Sequence, residues 1–317
     1  MPAAKSSYRT FVIMNPRSSG GATSRRWATL AEAISSAVGT VEHAATTAPG
    51  DAIRLAREAV EAGFEMIVAV GGDGTVNEVV NGFLAVDPAK RDPERLPVLG
   101  LIPSGTGGDY RKTWGVDDDP IRATERLRGL DARTADAGRV TWTEGGVERS
   151  RHFANIASFG LGGEVSARVN ASSKRLGGRA SFFLASAGAL MSWRNRRVKL
   201  VTDLDHPHEG LITFGALAIG RVFGGGMRIA PDADPGDGMF DIVTVERMTK
   251  LDLLRFTSVY SGRHLTDPKV SLWHGASVTA ELLDADPTPC RIEADGEVFG
   301  QLPARFDIVP SAFRVKV

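Results

Sequence analysis

A run of glycines around one aspartate, Gly71-Gly72-Asp73-Gly74-Thr75, is the part of this sequence with the clearest chemical meaning. Glycines let the backbone approach a polyphosphate closely, and free amides at the start of a helix favour anions. An acidic side chain there would repel phosphate unless it binds Mg²⁺ or a substrate hydroxyl, and phosphoryl transfer needs a carboxylate that handles the metal. The alternative is a tight turn that uses glycine and aspartate for their left-handed conformations.

Two further glycine-rich stretches have the same polar character. Pro103 to Asp109 contains three glycines and two hydroxyl side chains, which suit a backbone wrapped around phosphate or ribose, although a flexible loop would look similar. Asn15 to Gly21 is less informative, and a surface turn is its default interpretation. None of the three has the Gly-Lys-Ser/Thr ending of a Walker A loop, so charge neutralisation falls to Mg²⁺, backbone amides or an arginine such as Arg17 or Arg25.

Acidic residues in the second half of the chain add two candidate sites. A Gly/Pro-rich loop carries Asp232, Asp234, Asp237 and Asp241, which is compatible with a hard-cation site and also with a solvated acidic turn. The sequence Asp295-Gly296-Glu297 brings two carboxylates together across a glycine, as a kinase needs in order to accept the proton of an alcohol. A hairpin with Asp-Gly at its tip is the alternative for this second site.

These stretches follow strands that the sequence predicts as the core of an α/β domain. Apolar runs predict strands at 9–14, 41–45, 66–70 and 98–102, and helical spacing predicts helices at 24–38, 51–62 and 75–84. Strands that alternate with helices indicate a parallel sheet covered on both faces. Ligands bind at the carboxyl ends of such strands, so we expect the three glycine-rich stretches to share one site.

The pattern changes after about residue 135 of the 317 residues. Short β-rich segments separated by turns predict a sandwich or barrel-like second domain, and a helical insertion at roughly 164–193 interrupts it. The β-rich segments are 139–143, 152–157, 198–202, 212–219, 240–245, 277–282, 291–294 and 306–309. We therefore divide the chain into a catalytic α/β domain at 1–135 and a β-rich substrate domain at 136–317. The last strand of the chain either stays in the second domain or returns to the first.

The bulk composition limits the classes of function. The 38 basic residues balance 38 acidic residues, so the chain lacks the basic excess of a nucleic-acid-binding protein. The single cysteine, Cys290, cannot form an internal disulfide; it indicates a reducing, cytoplasmic setting and is expected to be a buried filler residue. A helix at 180–191 is too short to span a bilayer, but its apolar body and basic flanks fit either a core helix or contact with an anionic membrane surface.

Taken together, the blocks resemble the bacterial diacylglycerol kinase family, which is related to the sphingosine kinases. The resemblance covers nearly the whole chain, and its most specific block runs from Gly71 to Gly82. It implies a Rossmann-like α/β domain of the NAD kinase/phosphofructokinase type and a β-sandwich domain with a helical insertion. It also implies an ATP-dependent, Mg²⁺-requiring lipid kinase that meets its lipid substrate at the membrane surface.

The resemblance assigns roles residue by residue. The metal is expected on Asp234, Asp237 and Met239, and the catalytic proton acceptor is expected at Asp295 or Glu297, with Asp73 as an organiser of metal or substrate. The chain departs from the family at Gly108, where asparagine is usual, and this removes one polar side-chain contact. The nucleotide-binding positions are expected at Asn15, Pro16, Gly20, Thr46 or Thr47, Gly71, Gly72, Asp73, Gly74, Thr75, Asn77, Glu78, Ser104, Gly105 and Thr106.

The resulting hypothesis is transfer of the ATP γ-phosphoryl group to a lipid hydroxyl, with diacylglycerol as the first candidate. An NAD kinase shares the Gly-Gly-Asp-Gly turn and an Asn-Glu pair, but the Pro-Ser-Gly-Thr-Gly block and the late Asp-Gly-Glu argue against it. A non-catalytic nucleotide sensor is the second alternative, favoured only by Gly108. We expect a cytoplasmic protein, peripheral at the inner membrane surface, with no nucleic-acid partner and with a homodimer as an open alternative.

Overall fold

The computed structural model describes residues 8–87, 95–105, 107–171, 188–189, 192–204 and 207–317. The chain forms two compact units, the first made of Met1–Ala137 and Pro310–Val317 and the second of Gly138–Val309. It passes from one unit to the other inside two long strands, at residues 137–138 and 309–310. The first unit is therefore built from both ends of the sequence.

The first unit is built on a parallel sheet with the spatial order β2-β1-β3-β4. These strands are β1 (Thr10–Met14), β2 (Glu42–Ala45), β3 (Met66–Gly71) and β4 (Val98–Pro103). Every residue of β3 is buried, which explains its unbroken apolar sequence. Next to β4, the end of the last strand joins in parallel through Arg314 and Val315. The predicted parallel sheet is confirmed.

Helices connect the strands of the first unit. They are α1 (Ser18–Arg25), α2 (Trp27–Val38), α3 (Asp51–Glu61), α4 (Asp73–Leu84), α5 (Asp109–Thr113) and α6 (Pro120–Ala123), followed by a 3₁₀ turn at Thr124–Leu127. The helix predicted at 24–38 is confirmed over 27–38 as α2, but its predicted start is wrong, because the chain kinks at Arg26 and a separate helical segment precedes it. Within that segment Ser19, Gly20 and Gly21 adopt φ values of 50°, 61° and 84°, a left-handed turn that two glycines make accessible and that apolar spacing does not reveal.

Helices α3 and α4 lie unusually close to each other. A Cβ placed on Gly82 of α4 would lie 2.6 Å from the Ala56 Cβ and 2.6 Å from the Ile53 carbonyl oxygen of α3. The face of α3 that is buried consists of alanines, Ala52, Ala56 and Ala59. Small residues on both helices thus set their distance, and with it the position of the turn from which α4 begins.

The second unit is an antiparallel β structure around an aromatic and aliphatic core that includes Phe153, Phe159, Phe240 and Phe306. Cys290 belongs to this core, and burial raises the pKa of its thiol to about 11, so it packs as an apolar residue. The strands are β5 (Ala132–Glu144), β6 (Val147–Phe153), β7 (Ile156–Gly160), β8 (Arg196–Thr202), β9 (Pro207–Ala218), β10 (Phe240–Glu246), β11 (Val270–Gly275), β12 (Ser277–Leu282), β13 (Arg291–Ala294), β14 (Glu297–Gln301) and β15 (Ala304–Lys316).

The strand predicted at 152–157 is wrong, because β6 ends at Phe153 and β7 begins at Ile156. The backbone amides of Ala154 and Asn155 donate to the Asp295 carboxylate instead of to a strand. A side chain 140 residues further along the chain makes this break, so local sequence could not show it.

Helical structure in the second unit includes α7 (Leu161–Ala171), which follows β7 directly, and a short helix at Lys250–Arg255 that begins with a capping box between Thr249 and Asp252. Most of the predicted insertion, including the helix at 180–191 apart from residues 188 and 189, lies outside the described residues. Among the helices in the described part of the chain, none combines the length and the apolar character that crossing a bilayer would take.

Candidate active site

The three glycine-rich stretches meet at the carboxyl ends of β1, β3 and β4. The Asn15 side-chain amide donates to the Thr75 hydroxyl at 3.1 Å, and the Ser104 amide donates to the Gly71 carbonyl at 2.8 Å. Since β1 and β4 both pair with β3, the parallel sheet places the residues that follow each strand side by side. The structure therefore brings together the predicted positions Asn15, Gly71, Thr75 and Ser104.

A chain of hydroxyl groups adds a second connection between the stretch that begins at Asn15 and the stretch that begins at Pro103. In chain order these are the first and third glycine-rich loops. The Ser18 hydroxyl donates to the Asn15 carbonyl at 2.7 Å and lies 2.5 Å from the Thr23 hydroxyl. Thr23, which is 1% exposed, is in turn hydrogen-bonded to the Ser104 hydroxyl. Sequence reasoning missed Ser18 and Thr23, because hydroxyl groups spread along one kinked helix have no recognisable spacing.

Close contacts explain why positions 105 and 107 are glycine. A Cβ on Gly105 would lie 2.8 Å from the Gly72 Cα, and a Cβ on Gly107 would lie 2.9 Å from the Asp73 carboxylate. A cavity of about 210 Å³ lies between the loops that follow β3 and β4. It is lined by Ala69, Gly71, Gly72, Asp73, Val76, Leu101, Ile102, Pro103, Gly105, Gly107, Gly108, Arg111 and Asp118. Backbone amides and small side chains at the start of a helix are the surroundings that phosphate groups favour.

Asp73, at the first position of α4, connects the second loop, Gly71–Thr75, with the third loop, Pro103–Asp109. Its two carboxylate oxygens accept the backbone amides of Asp109 at 3.1 Å and Tyr110 at 3.2 Å. Burial raises the pKa of Asp73, and these amide donors oppose the increase while the nearby Asp109 adds to it. The Asp73 carboxylate thus lines the cavity and is held in place by two backbone amides.

The remaining predicted nucleotide positions take different places. Both oxygens of Glu78 accept backbone amides at the start of α3, from Gly50 at 3.0 Å and Ala52 at 3.1 Å, so this carboxylate caps a helix. Asn77 is buried within α4, and its side-chain oxygen accepts the Asn81 amide at 3.1 Å. The Thr47 hydroxyl pairs with Asp51 at the same helix start.

Thr46 follows β2, where its amide donates to the Met14 carbonyl at 2.9 Å. Pro16 lies in the turn that follows β1, Gly20 lies near the start of α1, and Gly74 lies in the first turn of α4. Thr106 lies outside the described residues. The structure thus describes all of these predicted positions except Thr106.

Arg111 is a functional candidate that sequence reasoning missed. Arg17 and Arg25, the two arginines proposed from the sequence, do not line the cavity, whereas Arg111 is the one cation among the described residues that do. A basic residue three positions after the last glycine of the third loop was the available signal. It was overlooked because the expected cation was sought in the first loop.

In the second unit, the Asp295 carboxylate is hydrogen-bonded to backbone amides. Its carboxylate accepts three consecutive amides, from Ala154 at 2.7 Å, Asn155 at 3.1 Å and Ile156 at 3.1 Å. Asp295 itself adopts a φ of 50°, which is uncommon for a residue with a side chain and is enriched at functional sites. This carboxylate fixes the turn between β13 and β14.

Glu297 and Glu293 lie in different surroundings on either side of that turn. The Glu297 side chain is 44% exposed and forms an ion pair with Arg151. Glu293 is 4% exposed; its oxygens accept the Ser158 hydroxyl at 2.7 Å and the Gly296 amide at 3.0 Å. Burial raises the pKa of Glu293 to about 7, and the two hydrogen bonds limit the increase.

The acidic loop at 232–241 is held by its own backbone. The Asp237 carboxylate accepts the Met239 amide at 3.0 Å, and the Asp234 carboxylate accepts the Gly236 amide at 3.3 Å. In the part of the chain that the structure describes, no three His, Cys, Asp or Glu side chains cluster as a metal site would need. The predicted set at Asp234, Asp237 and Met239 differs in kind, since the resemblance combines an aspartate carboxylate with neighbouring backbone carbonyls.

A parallel sheet with a glycine-lined cavity at its carboxyl edge, followed by a β-sandwich unit, is suited to binding phosphate groups. A model of the diacylglycerol kinase catalytic domain matches residues 9–140, and a model of the YegS C-terminal NAD kinase beta sandwich-like domain matches residues 155–317. The chain belongs to the diacylglycerol kinase family and is a lipid kinase.

Individual relatives agree with this assignment. A diacylglycerol kinase of Bacillus subtilis is 29% identical over 94% of this chain and 92% of its own length. A diacylglycerol kinase of Mycobacterium tuberculosis is 29% identical over 84% of this chain and 81% of its own length. Two solved chains named for a diacylglycerol kinase of Bacillus anthracis cover 98% of this chain and 98% of themselves, with TM-scores of 0.77 and 0.71 at 22% and 18% identity, and they establish the fold.

Proposed function

We propose that this lipid kinase uses ATP and phosphorylates the hydroxyl group of a diacylglycerol. The observation that supports the proposal is the cavity between the glycine-rich loops that follow β3 and β4, where two backbone amides hold the Asp73 carboxylate in place. Phosphoryl transfer depends on positioning and on charge stabilisation, and a rigid array of amides next to a carboxylate supplies the first of these. The relatives named diacylglycerol kinase support the choice of lipid.

Mg²⁺ is proposed as the metal, with Asp234, Asp237 and the Met239 carbonyl as its holders. Oxygen ligands are those that hard cations prefer. Burial raises the pKa of Asp241, His274 opposes the increase, and the nearby carboxylates of Asp237 and Asp232 add to it, so negative charges lie close together in this loop. When bound, the metal would supply positive charge for phosphoryl transfer.

Glu297 is proposed as the acceptor of the lipid hydroxyl proton. A general base must be reachable by its substrate, and the Glu297 side chain is 44% exposed. Asp295 is less suited, because both of its oxygens already accept backbone amides. Asp295 instead fixes the turn that presents Glu297, and Arg151 orients the Glu297 carboxylate.

The direct test offers labelled ATP and Mg²⁺ together with one acceptor at a time: diacylglycerol, a sphingoid base, ceramide, phosphatidylglycerol or NAD. Phosphorylation of diacylglycerol above the other acceptors is the expected result. Preference for another lipid would reject diacylglycerol and keep the lipid kinase. Turnover of NAD alone would favour the NAD kinase, and tight ATP binding without any transfer would favour a nucleotide sensor.

A further inference from the structure

Arg111 projects from α5, directly after the third glycine-rich loop. It lines the same cavity as Gly72, Asp73 and Gly108. Two carboxylates, Asp73 and Asp118, line this cavity as well, so a polyphosphate placed there needs positive charge. Arginine is the side chain best suited to that need, because its planar guanidinium offers five N–H donors to phosphate oxygens.

The contacts of the guanidinium hold it in place without using up its donors. Its Nη1 donates to the Val116 carbonyl at 2.9 Å, a backbone contact that fixes the side chain against the following turn. Its Nη2 lies 3.9 Å from a carboxylate oxygen of Asp118, whose side chain is 74% exposed. An ion pair of that length with a solvated partner is weak and easily exchanged for a phosphate.

Gly108 is the residue that leaves room for this arrangement. It has a φ of 64°, and a Cβ built on it would lie 2.8 Å from Arg111 Nε and 3.2 Å from Arg111 Cδ. A side chain at position 108 would therefore collide with the guanidinium group and displace it. The position of Arg111 depends on the absence of a side chain three residues earlier.

We propose that Arg111 binds the phosphate groups of the nucleotide and that Gly108 admits it to the cavity. The inference rests on the proposed use of ATP and deepens it. Arg111 supplies the charge that a lysine supplies in a Walker A loop, but from the third loop of the site instead of the loop that begins α4. The ligand class is a nucleoside polyphosphate, and its phosphates, not its base, are what Arg111 contacts.

The test measures dissociation constants of ATP, ADP and adenosine by calorimetry for the wild type, R111A and R111K. R122A is the matched control, because Arg122 pairs with Asp117 at 3.1 Å, is 70% exposed and does not line the cavity. R111A should weaken ATP binding about tenfold or more and leave adenosine binding unchanged, as expected for loss of charged hydrogen bonds. R111K should recover part of the loss, and R122A should bind ATP like the wild type.

The outcomes separate this inference from the proposed function. If the wild type binds ATP and phosphorylates lipid while R111A binds ATP equally well, Arg111 is not a phosphate ligand and the kinase assignment stands. If the wild type binds no ATP at all, both proposals fail. A loss of adenosine binding in R111A equal to the loss of ATP binding would also overturn the inference, since it would show general damage to the unit.

Gly108 is tested by a double-mutant cycle. G108A should weaken ATP binding in the wild-type background, because the added Cβ displaces the guanidinium group. In the R111A background the same substitution should cost less, because no guanidinium group is left to displace and only the strain of a side chain at a φ of 64° remains. Fully additive losses would show that Gly108 acts independently of Arg111 and would overturn that part of the proposal; thermal unfolding of all four proteins excludes misfolding as the cause.

Discussion

At the scale of single residues, one tight turn contains two carboxylates with separate tasks. Asp295 accepts three backbone amides and holds the junction between β6 and β7, while Glu297 is exposed and paired with Arg151. Their spacing of two residues in the sequence suggests a joint role, but in the structure Asp295 anchors the backbone, while Glu297 pairs with Arg151 and is the proposed base. This separation makes their substitutions distinguishable.

Replacing each carboxylate by its amide tests the division. E297Q should lower kcat by about a hundredfold or more, the size of a lost general base, with the KM for ATP and the free energy of unfolding nearly unchanged. D295N should lower the free energy of unfolding by about 1–3 kcal/mol, because an amide cannot accept all three N–H groups as a carboxylate does. Turnover assays and urea unfolding give the two readouts; a stable, inactive D295N protein with an active E297Q protein would reverse the assignment.

Glu293 makes the stability of the protein depend on pH. Its pKa rises from an ordinary 4.5 to about 7 in the folded protein, so the folded state holds the proton more tightly than the unfolded state does. Its contribution is therefore fully present below pH 4.5 and is lost as the pH rises through 7, a change of about 3 kcal/mol.

E293Q should remove this dependence, because glutamine resembles the protonated acid. Urea unfolding of both proteins at pH 5, 6, 7 and 8 should show the variant gaining stability relative to the wild type as the pH rises. Parallel stability curves over this range would contradict the raised pKa.

At the scale of elements, the two glycines Gly74 and Gly82 of α4 differ in how much space surrounds them. A Cβ on Gly82 would press into α3, 2.6 Å from Ala56, whereas a Cβ on Gly74 would meet nothing within 4 Å. Gly82 is thus required by helix packing, while Gly74 is tolerant as far as stability is concerned.

The two alanine substitutions should change stability in different directions. G82A should lower the free energy of unfolding by about 1–3 kcal/mol through overpacking. G74A, which adds the same methyl group to the same helix, should leave it unchanged or raise it by up to about 1 kcal/mol through helix propensity. Thermal or urea unfolding is the measurement, and equal destabilisation by both would show that the distance between α3 and α4 is not set by Gly82.

Elements whose burial is uniform could be predicted from the sequence, and those shaped by distant contacts could not. The fully buried strand β3 and the helix that follows it were found from the apolar run and the glycines. The break at Ala154 and Asn155 escaped prediction, because the carboxylate that causes it belongs to Asp295. The meeting of the three loops followed from the alternation of strands and helices, because ligands bind at the carboxyl ends of parallel strands. The place of Arg111 depends on the space beside Gly108, which no local sequence pattern reveals.

At the scale of the whole molecule, β15 serves both units. Phe306, early in the strand, is 0% exposed in the core of the second unit. Phe313, seven residues later, is 0% exposed in the first unit, where its ring centroid lies 6.0 Å from that of Phe83. One strand therefore carries a core aromatic residue for each unit.

Truncating these two rings should loosen different parts of the chain. F313A and F306A should each cost about 3–5 kcal/mol, as expected for a buried phenylalanine. Hydrogen exchange should rise within 8–137 in F313A and within 138–309 in F306A. Identical exchange patterns in the two variants would contradict the division of the strand, and weakened ATP binding is expected for F313A in particular.

The return of the chain to its first sheet has a consequence for biosynthesis. Residues 310–317, which complete the first unit, are translated after every residue of the second unit. During synthesis on the ribosome, Glu297 is therefore made before the last strand of the sheet that carries the glycine-rich loops. The ring of Phe83 likewise lacks its partner Phe313 until that strand has been made. Competence to bind nucleotide should therefore arise only after residues 310–317 have been synthesised, so that chains stopped within the second unit carry out no phosphoryl transfer.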